Sequence, residues 1–161
     1  MADNVLILQI DSIPGNCEIK EFSKKIIVNS YSHSASLPIG SDTANTVRTT
    51  GRPQLSEFSF SKSSDQSTTA MYKACTQGTN LGKVLLHVGR IEAGKFQKLL
   101  EYTMEKAMIT RISTSGSSGL PSDSVSINFS KVTCEYAQQD ATTTTKGKTT
   151  WNWDLETATS T

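Results

Sequence analysis

Apolar and polar residues alternate along much of this chain, and alternation is the period of a β-strand with one buried face. Phe58 and Phe60 alternate with Ser59 and Ser61, which predicts a half-buried strand. Val84, Leu86 and Val88 repeat the pattern further on. Together with shorter runs rich in Ile and Val, it predicts strands over residues 5–10, 25–33, 54–62 and 81–91.

Near the C-terminus the pattern predicts two strands that meet at a bend. Val125 and Ile127 face one side, whereas Val132 and Cys134 continue at the opposite parity. Because side chains alternate with a period of two, a slip of one residue predicts a bulge or bend near residues 130–131.

Polar stretches rich in Ser, Thr, Gly and Pro separate the strands. The longest has about twenty residues, and loops of that length in a compact domain are usually functional or disordered. Trp151 and Trp153 share one face of a last strand, and the tail after Leu155 is expected to fray. The predicted loops are residues 34–53, 113–123 and 138–148.

Two segments carry a helical period instead. In residues 68–77 the apolar side chains form one stripe, hydroxyls precede it and Gly78 follows it, so we predict a short helix with a glycine C-cap. In residues 96–112 Phe96, Leu100 and Met104 also recur at helical spacing. Local propensity alone therefore favours a second helix there.

Composition and charge exclude several classes of protein. The length of 161 residues is typical of one domain, and the formal net charge is +1. Because phosphate contacts demand clustered positive charge, we expect neither a nucleic-acid partner nor a polybasic membrane anchor. Asp3 stands where a signal peptide carries Lys or Arg, so we expect synthesis in the cytoplasm without a classical export signal.

The chain offers little for catalysis or metal binding. Its cysteines, too widely spaced for a disulfide framework or a zinc motif, are Cys17, Cys75 and Cys134. Residues 78–83 are similar to a phosphate loop, but they are one residue short and Val84 stands where a hydroxyl must reach magnesium. His33 and His87 have no recognisable nucleophile or ligand partners. We therefore predict no enzyme activity, no metal and no cofactor.

Four segments, taken in their order along the chain, form a pattern that can be compared with known families. They are residues 26–33 (IIVNSYSH); residues 55–62 (LSEFSFSK) with Asp65 and residues 70–78 (AMYKACTQG); residues 113–119 (STSGSSG) with residues 124–132 (SVSINFSKV); and Glu135-Tyr136 with Gln139-Asp140 and Trp153. None is specific alone, but the ordered set spans nearly the whole chain. It resembles the haemolysin-coregulated protein (Hcp) family, the tube subunit of the bacterial type VI secretion system. The chain departs from the family at residues 14–18 and at His33, where an aromatic residue is commoner.

The resemblance implies a mainly β fold. Two packed antiparallel sheets would form a barrel-like sandwich with one short α-helix on its side, as a single domain over residues 1–161. It also implies that residues 96–112 belong to a pair of strands, about 95–103 and 104–113. Tertiary context would then outweigh the helical period.

The resemblance also implies a structural protein and not an enzyme. Such a protein forms six-fold rings that stack into a tube, and it is secreted from the bacterial cytoplasm. The implied partners are further copies of the chain, the spike protein and the sheath, and effector proteins in the lumen. A net charge near zero suits self-assembly because strong self-repulsion would oppose it.

The resemblance places residues 26–33 along the lumen, where Ser30 and Ser32 share a strand face. We expect both serines to contact effectors. Contacts between subunits or stacked rings are expected in the loops at residues 34–53 and 113–123; a solvated, flexible loop is the alternative for the first. The expected contact residues are Arg48, Arg52, Ser115 and Ser118.

Other functions stay open at this point. A tail-tube protein of a phage-like particle would share the architecture and carry no cargo. A free secreted β-sandwich, acting as a binding module or effector, would be a monomer with a concave pocket. A hydrolase has the weakest support.

Overall fold

The computed structural model describes residues 4–41, 48–139 and 145–159. As expected, the fold is mainly β with antiparallel sheets and one α-helix. The strands are β1 (Asn4–Ile10), β2 (Ile26–Val28), β3 (Ser30–Ser32), β4 (Ala35–Ser36), β5 (Ile39–Ser41), β6 (Arg48–Thr50), β7 (Gln54–Leu55), β8 (Phe58–Ser63), β9 (Gly82–Glu92), β10 (Lys95–Ser115), β11 (Ser122–Asn128), β12 (Lys131–Gln139) and β13 (Thr145–Asp154). The helix is α1 (Ser67–Gln77), and one 3₁₀ turn spans Lys20–Phe22.

Two sheets share the long strand β10. The first half of β10 pairs with β9 and β12, and the second half pairs with β11. Between Met104 and Ala107 the register shifts and Lys106 adopts a φ of 52°, so the strand bends from one sheet into the other. We call β2-β1-β9-β10-β12-β13 the first sheet and β10-β11-β8-β3 the second sheet.

The helix favoured by local propensity at residues 96–112 is therefore wrong, and the strand prediction is confirmed. The two expected strands are the two halves of β10, joined by its bend. The first half of β10 pairs with β9 on one side and with β12 on the other. Its backbone N–H and C=O groups therefore bond to neighbouring strands, whereas in a helix they would bond to each other within the segment.

The chain crosses between the sheets at two further points. Asn29 alone separates β2 from β3, and its N–H donates to the carbonyl of Ser61 at 2.7 Å. The predicted bend after β11 is confirmed at Phe129 and Ser130, where Ser130 N–H donates to Glu105. The result is a sandwich; within the described ranges no ladder closes it into a complete barrel.

The main core lies between the two sheets. Its buried side chains include Leu8, Val84, Leu86, Met104 and Val132 from the first sheet and Phe58, Phe60, Val125 and Ile127 from the second. Helix α1 packs into the same core through Met71 and Ala74 and ends at Gly78, whose φ of 62° makes the predicted glycine cap. This eleven-residue helix is not long and apolar enough to cross a membrane, and the described residues contain no other α-helix.

A second, smaller apolar cluster covers the outer face of the first sheet. Phe22 lies 5.0 Å from the His87 ring and 4.8 Å from the Phe96 ring, measured between centroids. Cys17 is buried in the same segment, so its thiol is not available for cross-linking. Gly15 permits this packing, because a Cβ there would lie 2.4 Å from the carbonyl oxygen of Lys25.

Parts of the predicted loops form strands. The pairs β4–β7 and β5–β6, within residues 34–41 and 48–56, form a ribbon that continues from β3 and β8, and we call these two stretches the arm. Residues 42–47, which lie between the two stretches, and residues 140–144 are outside the described residues. Strands β10 and β11 shorten the predicted loop at 113–123 to residues 116–121. The described part of the tail turns back, and Asp154 N–H donates to the carbonyl of Thr159.

Candidate functional site

The outer face of the second sheet is lined with serine. In the β8–β11 ladder Ser59 stands opposite Ser126 and Ser61 opposite Ser124. Because each strand alternates, its serines point out while its apolar residues enter the core. The neighbouring ladders extend the pattern to four strands, and we call these residues the serine face: Ser30, Ser32, Ser59, Ser61, Ser63, Ser113, Ser115, Ser122, Ser124 and Ser126.

Hydroxyl groups on this face pair with one another across the strands. The Oγ atoms of Ser30 and Ser61 are 2.5 Å apart, and those of Ser59 and Ser126 are 3.2 Å apart. A groove of about 190 Å³ runs over β3 and β8. Short hydroxyl side chains thus make a shallow, neutral surface that can exchange hydrogen bonds with whatever lies on it.

Charged groups border one end of the serine face. Arg111 stands opposite Ser126 at a β-bulge in β10. Thr110, the extra residue of that bulge, donates to the Glu57 carboxylate at 2.9 Å. One cation and one anion therefore mark this end, whereas the rows of serine beyond it are uncharged.

The structure brings some predicted site residues together. Ser30 and Ser32 lie on the serine face, and Ser115 lies on it too, opposite Ser122 near the end of β10. Ser118 is exposed in the 116–121 loop. Two predicted contacts belong to the arm: Arg52 is exposed there, whereas the side chain of Arg48, which begins β6, lies outside the described residues.

The inner face of the same strands holds a polar group that the sequence analysis missed. Lys62 is 0% exposed and Asp123 is 1% exposed. The Lys62 Nζ lies 2.9 Å from Asp123 Oδ2 and 3.0 Å from Asp65 Oδ1. We call Lys62, Asp65 and Asp123 the buried ion cluster. The sequence does contain a signal for this burial. Lys62 lies at the same parity as Phe58 and Phe60 in the alternating strand, and this parity places its side chain on the buried face.

Hydrogen bonds keep Asp123 ionised inside the protein. Burial by itself raises the pKa of Asp123, but bonds from Thr68, Lys62, Thr114 and Ser64 outweigh it and bring the pKa to about 2. The Thr68 hydroxyl donates at 2.6 Å and the Ser64 hydroxyl at 2.8 Å. Since Thr68 belongs to α1 and Asp123 to β11, the buried ion cluster fastens the helix to the second sheet.

Among the described ranges no group of three His, Cys, Asp or Glu side chains could hold a metal ion. The site consists of a neutral hydroxyl surface on the outer face of the second sheet and a buried charge network on its inner face.

Comparison with known proteins agrees with this picture. A family model described as "Type VI secretion system effector, Hcp" matches residues 7–136. No curated protein matches the chain significantly in sequence.

Solved structures share the fold. One described as a type six secretion system protein superposes with a TM-score of 0.90 at 20% identity, covering 99% of this chain and 100% of that one. Hcp1 from Salmonella typhimurium gives 0.78 at 21% identity, with 100% of both chains covered. The cap of the anti-feeding prophage tube gives 0.54 at 16% identity, covering 82% and 88%. The family match extends over most of the chain, so the chain belongs to the Hcp family of type VI secretion proteins.

Proposed function

We propose that this protein is the tube subunit of a type VI secretion apparatus, in which six-fold rings stack and the serine face lines the lumen. Family membership supports the tube role, and the serine face is the observation that carries the lumen assignment. Protein cargo has to slide through a tube without being trapped. A surface of hydroxyls avoids both strong ion pairs and apolar adhesion.

The edges of the second sheet suit ring formation. In the described part of the chain, β3 pairs with β8 alone, and β10 from Met108 onward pairs with β11 alone. Unpaired strand edges are templates for pairing with another chain. A head-to-tail contact between these two edges would repeat around a closed ring and join the serine faces of successive copies.

The arm and the 116–121 loop are the proposed contacts between rings. Leu37 is 46% exposed and Ile39 is 56% exposed on the arm, and Leu120 is 74% exposed at the loop. Apolar side chains this exposed favour burial against a partner. We place them beside the four expected contacts Arg48, Arg52, Ser115 and Ser118.

The remaining partners follow from the tube role. Spike and sheath proteins would hold and drive the tube, effector proteins would occupy the lumen, and the subunit would leave the cell with them. The protein would act without catalysis. A tail tube of a phage-like particle is the second candidate, favoured by the likeness to the prophage cap, and it predicts the same rings without retained cargo.

The first experiment measures mass in solution over a concentration series, by light scattering behind size exclusion, with negative-stain images of the same peak. We expect a six-fold ring with an open centre. A monomer at every concentration, with no rings in the images, would contradict the tube role and favour a free binding module.

A lumen variant tests the serine face. Ser32→Arg would place a bulky cation on the face and should lower cargo retention in co-purification while rings remain intact. Ser23→Arg is the matched control, because Ser23 is exposed in the segment that covers the first sheet. Loss of the rings in Ser32→Arg would show a structural role for Ser32, and equal cargo retention in both variants would remove the lumen assignment.

A further inference from the structure

His33 stands where the arm leaves the second sheet, inside a cluster of aromatic rings. Its ring centroid lies 5.6 Å from that of Phe129, 6.0 Å from Phe58 and 6.2 Å from Tyr102. Tyr31 completes the cluster, stacked on Phe58 at 5.8 Å. His33, the residue directly before the arm, thus lies among rings from β3, β8, β10 and the turn after β11.

The groups around His33 are neutral. Its Nε2 atom is buried and has no hydrogen-bond partner among the described residues. The titratable groups of the cluster are Tyr31, Tyr102 and Cys134. Burial raises the pKa of Tyr31 and Cys134 and, with smaller contributions from those two neighbours, raises that of Tyr102 to about 12. Within the described part of the chain, no carboxylate forms an ion pair with His33.

A proton on His33 would meet an unfavourable environment. The imidazolium carries an N–H on both nitrogens, and the buried Nε2 would have no acceptor. The aromatic faces offer a modest cation–π attraction, but burial is the larger effect and lowers the pKa of His33.

The described backbone contacts of the arm next to His33 form a short pairing. Beyond His33, the ribbon is held by hydrogen bonds between Ser34 and Ser56, at 2.8 Å and 2.9 Å, and by the two-residue pairing of β4 with β7. The first residue pairs of a ribbon open at lower cost than a central strand. Solvating the ring of His33 therefore requires only local opening of the arm.

We infer that His33 is an acid-sensitive latch for the arm: the neutral ring anchors the arm to the aromatic cluster, and protonation releases it. Releasing the arm would also weaken the stacking of rings, a consequence that rests on the proposed function, whereas the latch itself does not.

The sign of the effect follows from proton linkage. Because the pKa of His33 is lowered by burial, the opened arm binds the proton more readily than the closed arm. The latch is fully formed above the ordinary histidine pKa of about 6.5. As the pH falls below that value, the opening equilibrium rises by up to about tenfold per pH unit until the lower pKa of the closed form is passed.

Hydrogen exchange of the arm amides tests the latch. Exchange in residues 34–41 and 48–56 is measured between pH 7.5 and 5.0, corrected for intrinsic rates, in the wild type, His33→Phe and His87→Gln. The chain has two histidines, so His87→Gln controls for the other titration. His87 is a suitable control because it faces Gln9 and Glu101 on the first sheet, away from the arm.

We expect arm opening to increase at low pH in the wild type and in His87→Gln, and to become independent of pH in His33→Phe. Equal pH dependence in the wild type and His33→Phe would overturn the latch. If His33→Phe does not fold, titration of the two imidazoles by NMR in the wild type decides the matter, because the latch requires His33 to titrate below about 6.5. Negative-stain images of the same samples show whether rings are present, so that opening of the arm is judged independently of ring formation.

Discussion

Both faces of the second sheet carry polar groups, yet those groups differ in what they do. On the inner face Lys62 and Asp123 are withdrawn from water and bonded to each other at 2.9 Å. On the outer face Ser61 and Ser124 occupy neighbouring positions of the same strands and keep contact with water. A step of one residue along β8 or β11 separates a buried charge from a hydroxyl that is half-buried on Ser61 and exposed on Ser124.

The difference shows how burial sets the energetic weight of a polar side chain. A buried ion pair depends on both partners, since removing one leaves an uncompensated charge in a medium of low dielectric. An exposed hydroxyl exchanges its protein partner for water at little net cost. The inner face can therefore hold the fold, while the outer face is free to vary with function.

Breaking the ion pair between Lys62 and Asp123 should have the largest effect on the free energy of unfolding. Lys62→Met leaves Asp123 without its cation and should lower the free energy of unfolding by about 3–5 kcal/mol. Denaturant unfolding measures it, with Ser61→Ala as the neighbouring control on the outer face. The double variant Lys62→Met with Asp123→Leu should recover part of the loss. A Lys62→Met protein as stable as Ser61→Ala would contradict the comparison.

The second-largest loss of stability is expected at low pH, where Asp123 on the inner face becomes protonated. The pKa of Asp123 in the folded protein is about 2, below the ordinary value of about 3.9 for an unfolded chain. The resulting stabilisation, on the order of 2 kcal/mol, is present above pH 4 and is lost as the pH falls from about 4 to about 2. Unfolding free energies measured over this range should show the loss in the wild type. Asp123→Asn, less stable throughout, should lack this component, and an unchanged profile would refute the assignment.

A smaller effect is expected at the rim of the buried ion cluster. The Tyr72 and Thr114 hydroxyls are 2.9 Å apart, and Thr114 also donates to Asp123. Removing one partly exposed hydrogen bond with Tyr72→Phe should cost about 0.5–1.5 kcal/mol, seen as a lower denaturation midpoint at constant m-value. Tyr136→Phe, a similarly exposed tyrosine on the first sheet, serves as the control. A midpoint shift as large as that of Lys62→Met would mean that the helix contact, and not the ion pair, dominates.

The smallest effects belong to the serine face. Ser61→Ala and Ser124→Ala should each change the free energy of unfolding by less than about 0.5 kcal/mol, because both hydroxyls are accessible to water. Equilibrium unfolding and ring images are the measurements. Destabilisation by several kcal/mol would show that the serine face stabilises the fold. The two faces would then not differ in how much their polar groups contribute to stability.

The alternation of apolar and polar residues predicted much of this structure, though not all of it. Phe58 and Phe60 point into the core as the pattern predicted, and Gly78 ends the helix where a left-handed residue was expected. The same parity rule, applied to Lys62, would have placed it inside, although charged side chains are rarely buried. Ser30 and Ser32 were expected to share a face, whereas the serines on three further strands joined that face through strand pairing.

The sequence alone settled several local properties: the strands with one apolar face around Phe58 and Phe60 and around Val84 to Val88, the end of the helix at Gly78, and the family that the ordered segments resemble. Tertiary structure decided the properties that depend on residues far apart in the chain. It turned the helical period of residues 96–112 into a bent strand, because ladders on β9, β12 and β11 satisfy the backbone there. It also made Lys62 and Asp123 a pair across sixty-one residues, since a buried charge is tolerated only where the fold supplies its partner.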